Sequence, residues 1–342
     1  MLFILILTPR CNSNCRYCGG FEEGIMPEKI RYDLEDLLRF LRGYPELSVA
    51  FYGGEPLLEA EKMVEIMRKV RAKYFILQTN GLLLEKLKRE DLKKFSTILV
   101  SLDGREEVHD FYRGNYKKVL KNVREIKKGF DGELIARMTA SQETSIYEDV
   151  MSIISLKTFT HVHWQIDAIW SRDGIWRDFE KWVEDYNAGI RRLVKFWISE
   201  MLKGRILGIV PFLGVATAIF EGFRHPPCSS GFESFAITTD GRILACPICP
   251  EFEWNQLGDI FTGIRKKPEL LPPCPECNYF RFCGGRCLFF NRERLWGEKG
   301  FKLVCSTVKN LVDSILAYSH VIAKFKDEIK YPRFLNTTEI IP

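Results

Sequence analysis

Over its first 170 residues the chain alternates six short strand-like runs with helix-prone stretches. No other feature restricts the fold as much. The strand candidates are Leu2–Leu7, Leu47–Tyr52, Tyr74–Gln78, Thr97–Leu102, Leu134–Ala140 and His161–Asp167. Each is short, rich in branched or aromatic residues, and bounded by Gly, Pro, Asn or Asp. Helical patterns fall at about Glu28–Arg42, Ala60–Ala72, Leu84–Phe95, Tyr116–Lys128 and Ile146–Ser155. In the second of these, Met63, Ile66, Met67 and Val70 recur at i, i+3, i+4 and i+7 and give one apolar face. Six β-α units in a row predict an α/β fold, a partial (β/α)6 barrel with a parallel sheet and helices outside it. Active sites of such barrels lie at the C-terminal ends of the strands. The segments Cys11–Cys18, Gly53–Pro56, Gln78–Gly81 and Ser101–Gly104 each directly follow a strand and are expected at one mouth.

The remainder divides by composition. A helix-prone stretch, Trp176–Lys203, leads out of the barrel, and Ile206–Gly222 is apolar without a clear period. Residues 228–305 are rich in Cys, Gly, Pro and Phe, a composition that holds together poorly without metal. A hairpin is expected at Phe235–Ala245, turning at Asp240-Gly241. A last helix is expected at Thr307–Glu328, with a loosely packed tail after Pro332. The expected divisions are residues 1–170, a linking helical region 171–227, a Cys-rich domain 228–305, and a helix and tail 306–342.

The hydrophobic content of 46% is that of an ordinary soluble protein, and the apolar opening Leu2–Leu7 is too short to span a membrane. It also lacks the basic leader and cleavage site of a signal peptide, so a cytoplasmic location is expected, with no membrane partner. The net charge of +5 comes without a basic, aromatic-interleaved run, so nucleic acid is not an expected partner. The 11 cysteines fall in two groups, Cys11, Cys15 and Cys18 and then eight between Cys228 and Cys305. In a reducing compartment they are read as metal ligands rather than disulfides. Cys11, Cys15 and Cys18 are spaced C-x3-C-x2-C. Three thiolates can hold a cubic [4Fe–4S] cluster and leave one iron open to a cofactor. The alternative, a zinc site, needs a fourth ligand from elsewhere.

In this setting the cysteine loop resembles that of the radical S-adenosylmethionine (radical SAM) superfamily. The resemblance implies that Cys11, Cys15 and Cys18 hold a cluster whose open iron is chelated by S-adenosylmethionine. Tyr17 matches the family's aromatic position near the adenine, or else serves packing. Gly53-Gly54-Glu55-Pro56 resembles the GGEP motif that holds the methionyl amino group, with glycines allowing close backbone approach and Glu55 able to accept from an amine. Ser101-Leu102-Asp103-Gly104 resembles the ribose-binding segment, where Ser101 or Asp103 would bond sugar hydroxyls; a plain polar turn is the alternative. Arg137 lies inside the fifth strand, where a charge needs a partner. The resemblance implies the methionyl carboxylate, against a structural ion pair. Trp164 and Gln165 in the sixth strand are candidates to face the adenine or the substrate, but alternation lets only one point inward.

The C-terminal cysteines strengthen the resemblance. Cys274, Cys277, Cys283 and Cys287 spell C-x2-C-x5-C-x3-C, with Cys305 downstream and Cys228 and Gly241-x4-Cys246 upstream. This resembles the SPASM domain of radical SAM enzymes that modify peptides. It implies two auxiliary [4Fe–4S] clusters, three clusters in all. One would be held by Cys274, Cys277, Cys283 and Cys305, the nearer one by Cys228, Cys246 and Cys287. Cys249 either completes the nearer cluster or leaves an iron open for substrate. In the anaerobic sulfatase maturases an Asp thought to act as base follows the cysteine equivalent to Cys246. Here that position is Pro247, which weakens formylglycine formation as the specific reaction. Asp167, His109 and Asp110 are other ionisable groups near strand ends or loops.

The resemblance therefore implies a partial TIM-like barrel followed by a SPASM domain. It implies an enzyme that cleaves S-adenosylmethionine reductively and uses the 5′-deoxyadenosyl radical to take hydrogen from a peptide or small protein, as in thioether and other crosslink formation. The chain resembles archaeal peptide-modifying members in particular. An electron donor such as a ferredoxin or flavodoxin is an implied partner. Only ten residues precede Cys11 and 37 follow Cys305, so leader recognition is expected to use the barrel mouth or a separate protein. The alternatives are a small-molecule substrate, or a non-catalytic iron–sulfur protein for electron transfer, which would have no use for an open iron.

Overall fold

The computed structural model describes residues 1–167, 175–294 and 296–329. The expected tail beyond Pro332 lies outside these. Six strands alternate with helices in the first half: β1 (Leu2–Ile6), β2 (Ser48–Tyr52), β3 (Tyr74–Thr79), β4 (Phe95–Ser101), β5 (Glu133–Ala140) and β6 (His161–Ile166). Each is parallel to the next. This is the expected partial (β/α)6 barrel. A two-residue strand, β7 (Gly208–Ile209), extends the β6 edge.

The other edge is not left bare. β8 (Ser234–Ile237) runs parallel to β1. It turns back antiparallel into β9 (Arg242–Leu244), which is the expected hairpin, followed by β10 (Gln256–Asp259) and β11 (Gly263–Ile264). The Cys-rich region thus adds strands to the barrel sheet, and all 11 strands form one sheet in the order β11-β10-β9-β8-β1-β2-β3-β4-β5-β6-β7.

Alternation along the strands separates two cores. Leu2, Ile4, Ala50, Ile76, Leu99 and Ile135 pack with Ala236 and Leu244 inside the barrel. Their neighbours, including Phe3, Phe51, Leu77, Ile98, Ala136 and Trp164, pack under the helices. In β1 to β5 the mid-strand inward residues are apolar, and Tyr52, Gln78, Ser101, Arg137, Gln165 and Asp167 follow in the same phase at the ends of β2 to β6, while Ser48, Thr97, Glu133 and His161 share that phase towards the strand starts. The middle of the barrel is therefore apolar and its mouth chemically equipped.

The helices differ from expectation in three places. The first covers only Leu34–Leu41 rather than starting at Glu28. Residues Leu84–Phe95 break into a 3-10 turn at Leu84–Lys86 and a short helix at Arg89–Leu92, then yield Phe95 to β4. The expected Thr307–Glu328 helix instead runs Gly297–Leu316, followed by short turns to Phe325. Its buried face, Phe301, Val304, Val308, Leu311 and Ile315, packs against the long helix Phe179–Leu202, where Arg191 donates to Asn310 at 2.7 Å. The apolar stretch Ile206–Gly222 becomes β7 and a helix, Val210–Phe220, buried nearly all round. No helix among the described residues is long and apolar enough to cross a membrane.

Candidate active site at the barrel mouth

A cavity of about 440 Å³ opens at the C-terminal ends of the strands, within the range of small-molecule sites. Cys11, Cys15 and Cys18 line it from the loop after β1, and Cys228, Cys246 and Cys249, which flank the β8–β9 hairpin, line it too. Two cysteine groups separated by more than 200 residues of sequence thus face one space.

The loop after β1 is fixed by close backbone approach. A side chain at Gly53 would strike the Thr8 carbonyl oxygen at 2.3 Å, and one at Gly54 the Arg10 carbonyl oxygen at 2.2 Å. Gly54 N–H donates to Thr8 O and Glu55 N–H to Arg10 O, at 2.9 and 2.8 Å. Both glycines are therefore needed to seat the cysteine loop as well as to line the cavity.

Glu55 is fully buried, and its carboxylate is already engaged. It accepts from Leu57 N–H (3.0 Å), Thr79 Oγ1 (2.8 Å) and Asn80 N–H (2.7 Å). Burial raises its pKa, against these hydrogen bonds. Its place is to tie the ends of β2 and β3 together; neither it nor Pro56 lines the cavity, whereas Gly53 and Gly54 do.

Asp103 is likewise buried behind the wall rather than in it, and Ser101 is the member of that pair that faces the space. Asp103 accepts from the Tyr17 hydroxyl, from Arg113 Nε at 2.7 Å and from Thr139 N–H at 2.9 Å. Arg113 was not foreseen in the sequence. It sits in a loop after a short helix (Glu106–Tyr112), and only the fold brings it to Asp103 and Thr139. Its guanidinium lies 5.2 Å from the Tyr17 ring centroid and 3.9 Å from Cys15 Sγ. Burial alone would lower its pKa, but Asp103, Tyr17 and Cys15 hold it well above the usual value. Burial pushes the Cys15 thiol up, and Arg113 opposes this.

Arg137 lines the cavity, contacting His163 Nδ1 and donating to Gln165 Oε1 at 2.6 Å. Of Trp164 and Gln165, Gln165 faces the cavity. Trp164 requires a correction: it lies on the outer face, fully buried against Phe212 and donating to the Tyr186 hydroxyl at 2.7 Å. Alternation on β6 decides this, because Trp164 shares the phase of Val162 and Ile166, which belong to the same outer core. His109 is structural, with Nδ1 accepting from Asp103 N–H and Nε2 donating to Gly114 O. Asp110 accepts from Tyr116 N–H at the start of the next helix. Asp167, at the end of β6, lines the cavity.

On the C-terminal side, Asn255 organises the cysteine turn. Its side chain accepts from Cys246 N–H (2.8 Å) and donates to the carbonyls of Cys246, Ile248 and Cys249 at 2.8 to 3.0 Å. This holds Cys249 buried at φ +56°, a conformation uncommon for a non-glycine residue. Asn255 was also missed; an Asn nine residues beyond a cysteine carries no local signal. A second, small cavity of about 40 Å³ is lined by Cys274, Cys277, Cys283 and Cys305, the four that the resemblance groups together. Cys287 is buried at the N-cap of Leu288–Glu293 and lines neither cavity.

The donor sets suit iron–sulfur chemistry. Soft thiols line each cavity, and N–H groups of Asn80, Arg113 and Gly20 approach Cys11, Cys15 and Cys18 Sγ at 3.9, 3.9 and 3.4 Å. Such hydrogen bonds tune cluster potentials.

Residues 5–141 match the Radical SAM superfamily. The chain is accordingly an enzyme that carries a radical SAM domain. It is 24% identical to the cysteine-type anaerobic sulfatase-maturating enzyme of Clostridium perfringens, over 97% of this chain and 96% of that protein. It shares its fold with native anSMEcpe with bound AdoMet and Cp18Cys peptide, at TM-score 0.71 and 22% identity over 96% of this chain and 99% of that one. SuiB of Streptococcus suis bound to precursor peptide SuiA is similar at TM-score 0.58 and 16% identity, over 84% of this chain and 71% of that one.

Proposed function

We propose that this chain is a radical SAM/SPASM enzyme that oxidises a peptide or small protein. The single observation that carries the reading is the shared cavity, which is lined both by the C-x3-C-x2-C cysteines and by Cys228, Cys246 and Cys249 of the C-terminal block. An electron-transfer protein has no need of such a space between its cysteine groups. The two peptide-bound relatives supply the substrate class.

In this reading Cys11, Cys15 and Cys18 hold the cluster that binds S-adenosylmethionine, Cys274, Cys277, Cys283 and Cys305 hold the distal auxiliary cluster, and Cys228, Cys246 and Cys287 hold the nearer one. Cys249 joins the nearer set, because it is turned into the same cavity as Cys228 and Cys246. When bound, the cluster and S-adenosylmethionine supply a 5′-deoxyadenosyl radical. Gly53 and Gly54 bring backbone carbonyls to the methionyl amine. Arg137, with a planar fork suited to a carboxylate, receives the methionyl carboxylate, and Ser101 a ribose hydroxyl. Tyr17 and Arg113, locked on Asp103, keep the loop rigid beside Cys15.

The test is anaerobic reconstitution followed by incubation with dithionite, S-adenosylmethionine and short synthetic peptides containing one cysteine or one serine. The expected result is 5′-deoxyadenosine together with peptide lighter by two hydrogens. Cleavage of S-adenosylmethionine with every peptide unchanged sinks the peptide reading; no cleavage sinks the enzyme assignment as a whole.

A further inference from the structure

Four carboxylates are buried around the barrel mouth, and three of them are satisfied. Glu55 has three donors. Asp103 has Arg113, Tyr17 and the Thr139 amide. Asp149 accepts from Arg105 Nε at 2.8 Å, from Arg105 N–H at 3.0 Å and from Ser145 N–H at 2.8 Å. Asp167 differs from all of these. Among the described residues its side chain has one hydrogen bond, accepted from Ser141 Oγ at 3.0 Å, and no cation partner. It is also the only carboxylate among the described residues that lines the cavity.

The backbone on both sides of that carboxylate is fixed. Asp167 N–H donates to Ala140 O at 2.8 Å, and its own carbonyl accepts from Trp176 Nε1 at 3.1 Å. Ser141 is itself held, its N–H donating to Thr144 Oγ1 at 3.0 Å. A buried carboxylate with spare acceptor capacity, on a rigid strand end, facing a space lined by two cysteine groups, is expensive to keep for structure alone. Pro247, beside Cys246, lines the same cavity and has no group that could exchange a proton.

We propose that Asp167 is the proton acceptor for the substrate oxidised in this cavity, held in position by Ser141. The inference rests on the reading that the site removes hydrogen from a substrate. Oxidation of a CH–XH unit to C=X, with X a sulfur, oxygen or nitrogen, breaks the C–H and X–H bonds and forms the C=X π bond. One hydrogen atom goes to the 5′-deoxyadenosyl radical, giving 5′-deoxyadenosine. One electron goes to an iron–sulfur cluster of the C-terminal cysteines. The remaining proton goes to Asp167, which passes it to water after product leaves. The surroundings suit that task. Burial and the nearby charge of Asp103 raise the Asp167 pKa to about 7, against the Ser141 hydrogen bond, so the group both takes and gives up a proton near neutrality. Tyr112 senses the Asp167 charge in turn, while Arg113 and Arg137 share the cavity wall.

The test compares the full-length enzyme with Asp167→Asn and Ser141→Ala. On the purified proteins, a carboxyl infrared titration should show a group protonating near neutral pH in the wild type. It should be absent in Asp167→Asn and move to higher pH in Ser141→Ala, where the hydroxyl no longer favours the charged form. In turnover with a single-cysteine peptide, Asp167→Asn should lose about 100-fold or more in peptide oxidation. The 5′-deoxyadenosine formed per peptide oxidised should rise about tenfold or more. Peptide oxidation within about threefold of wild type in Asp167→Asn, or the same infrared titration in both proteins, overturns the proposal. If wild type cleaves S-adenosylmethionine but oxidises no peptide, the substrate reading fails by itself, and the titration still decides the carboxylate.

Discussion

The two cysteine-bearing regions are built on opposite principles. The loop carrying Cys11, Cys15 and Cys18 hangs from a finished scaffold: β1 is buried along its whole length and hydrogen-bonded on both sides, and Cys11 and Cys18 are exposed. The C-terminal block has no such scaffold around Cys274–Cys287. Its elements there are a three-residue 3-10 turn and a four-residue helix, the helix followed by positive-φ residues Gly284, Gly285 and Arg286. Burial pushes the Cys283 thiol up to about 12 and Cys249 higher still. In the proposed function the barrel cysteines would serve chemistry added to a stable fold, whereas the distal cysteines, once metal is bound, would gather the local fold around themselves.

Simultaneous Cys274→Ser and Cys283→Ser substitution should therefore do the most damage, lowering Tm by about 10 °C or more and removing hydrogen-exchange protection from residues 274–287 while the barrel strands stay protected. The Cys11/Cys15/Cys18→Ala triple variant should leave Tm within about 3 °C of wild type. Equal losses of Tm would erase the distinction. Iron analysis sharpens it: about twelve irons in the reconstituted wild type should fall to about eight in the triple variant. About four falling to near zero would show that the C-terminal cysteines hold something else.

Next in size is Arg113→Met, which strands the buried Asp103 carboxylate without its cation. A loss of about 3–5 kcal/mol is expected in denaturant unfolding; a loss below about 1 kcal/mol would mean that Tyr17 and Thr139 suffice. The Asp167 pKa gives a smaller effect with a definite sign. A carboxyl raised to about 7 in the folded state binds protons there more tightly than in the unfolded chain. Its contribution to stability is full below about pH 4 and is lost as pH rises through about 7. Asp167→Asn should thus raise Tm relative to wild type at pH 8 and less so, or not at all, at pH 5. A constant difference across that range would contradict the shift.

The strands were legible because each combines a short branched run with a turn signal, and the structure moves their ends by at most two residues. Helix ends were less so. Gly297 begins the last long helix ten residues early because Phe301 and Val304 find partners that the linear pattern does not reveal. At the site, the cysteines and glycines announce themselves by spacing, as does the polar end of each inward strand face. Arg113 and Asn255 do not. Each acts through contacts that exist only once β5 or the cysteine turn is in place. Trp164 was misread because period two allows either of two adjacent residues to point inward, and only the neighbouring core settles which.

The loop that follows Cys18 is pinned from far along the chain. Arg242 Nη2 donates to Ile25 O and Thr239 Oγ1 to Pro27 O, both at 2.6 Å, while Arg31 N–H donates to Thr239 O at 2.8 Å. During synthesis Ile25 leaves the ribosome 217 residues before Arg242, its clasp, a wait of roughly ten to forty seconds at ordinary elongation rates. Residues 25–31 therefore lack these contacts until Thr239 and Arg242 have been made. Ribosome-bound chains stalled before residue 228 should leave residues 19–33 open to protease, and release of the complete chain should close them.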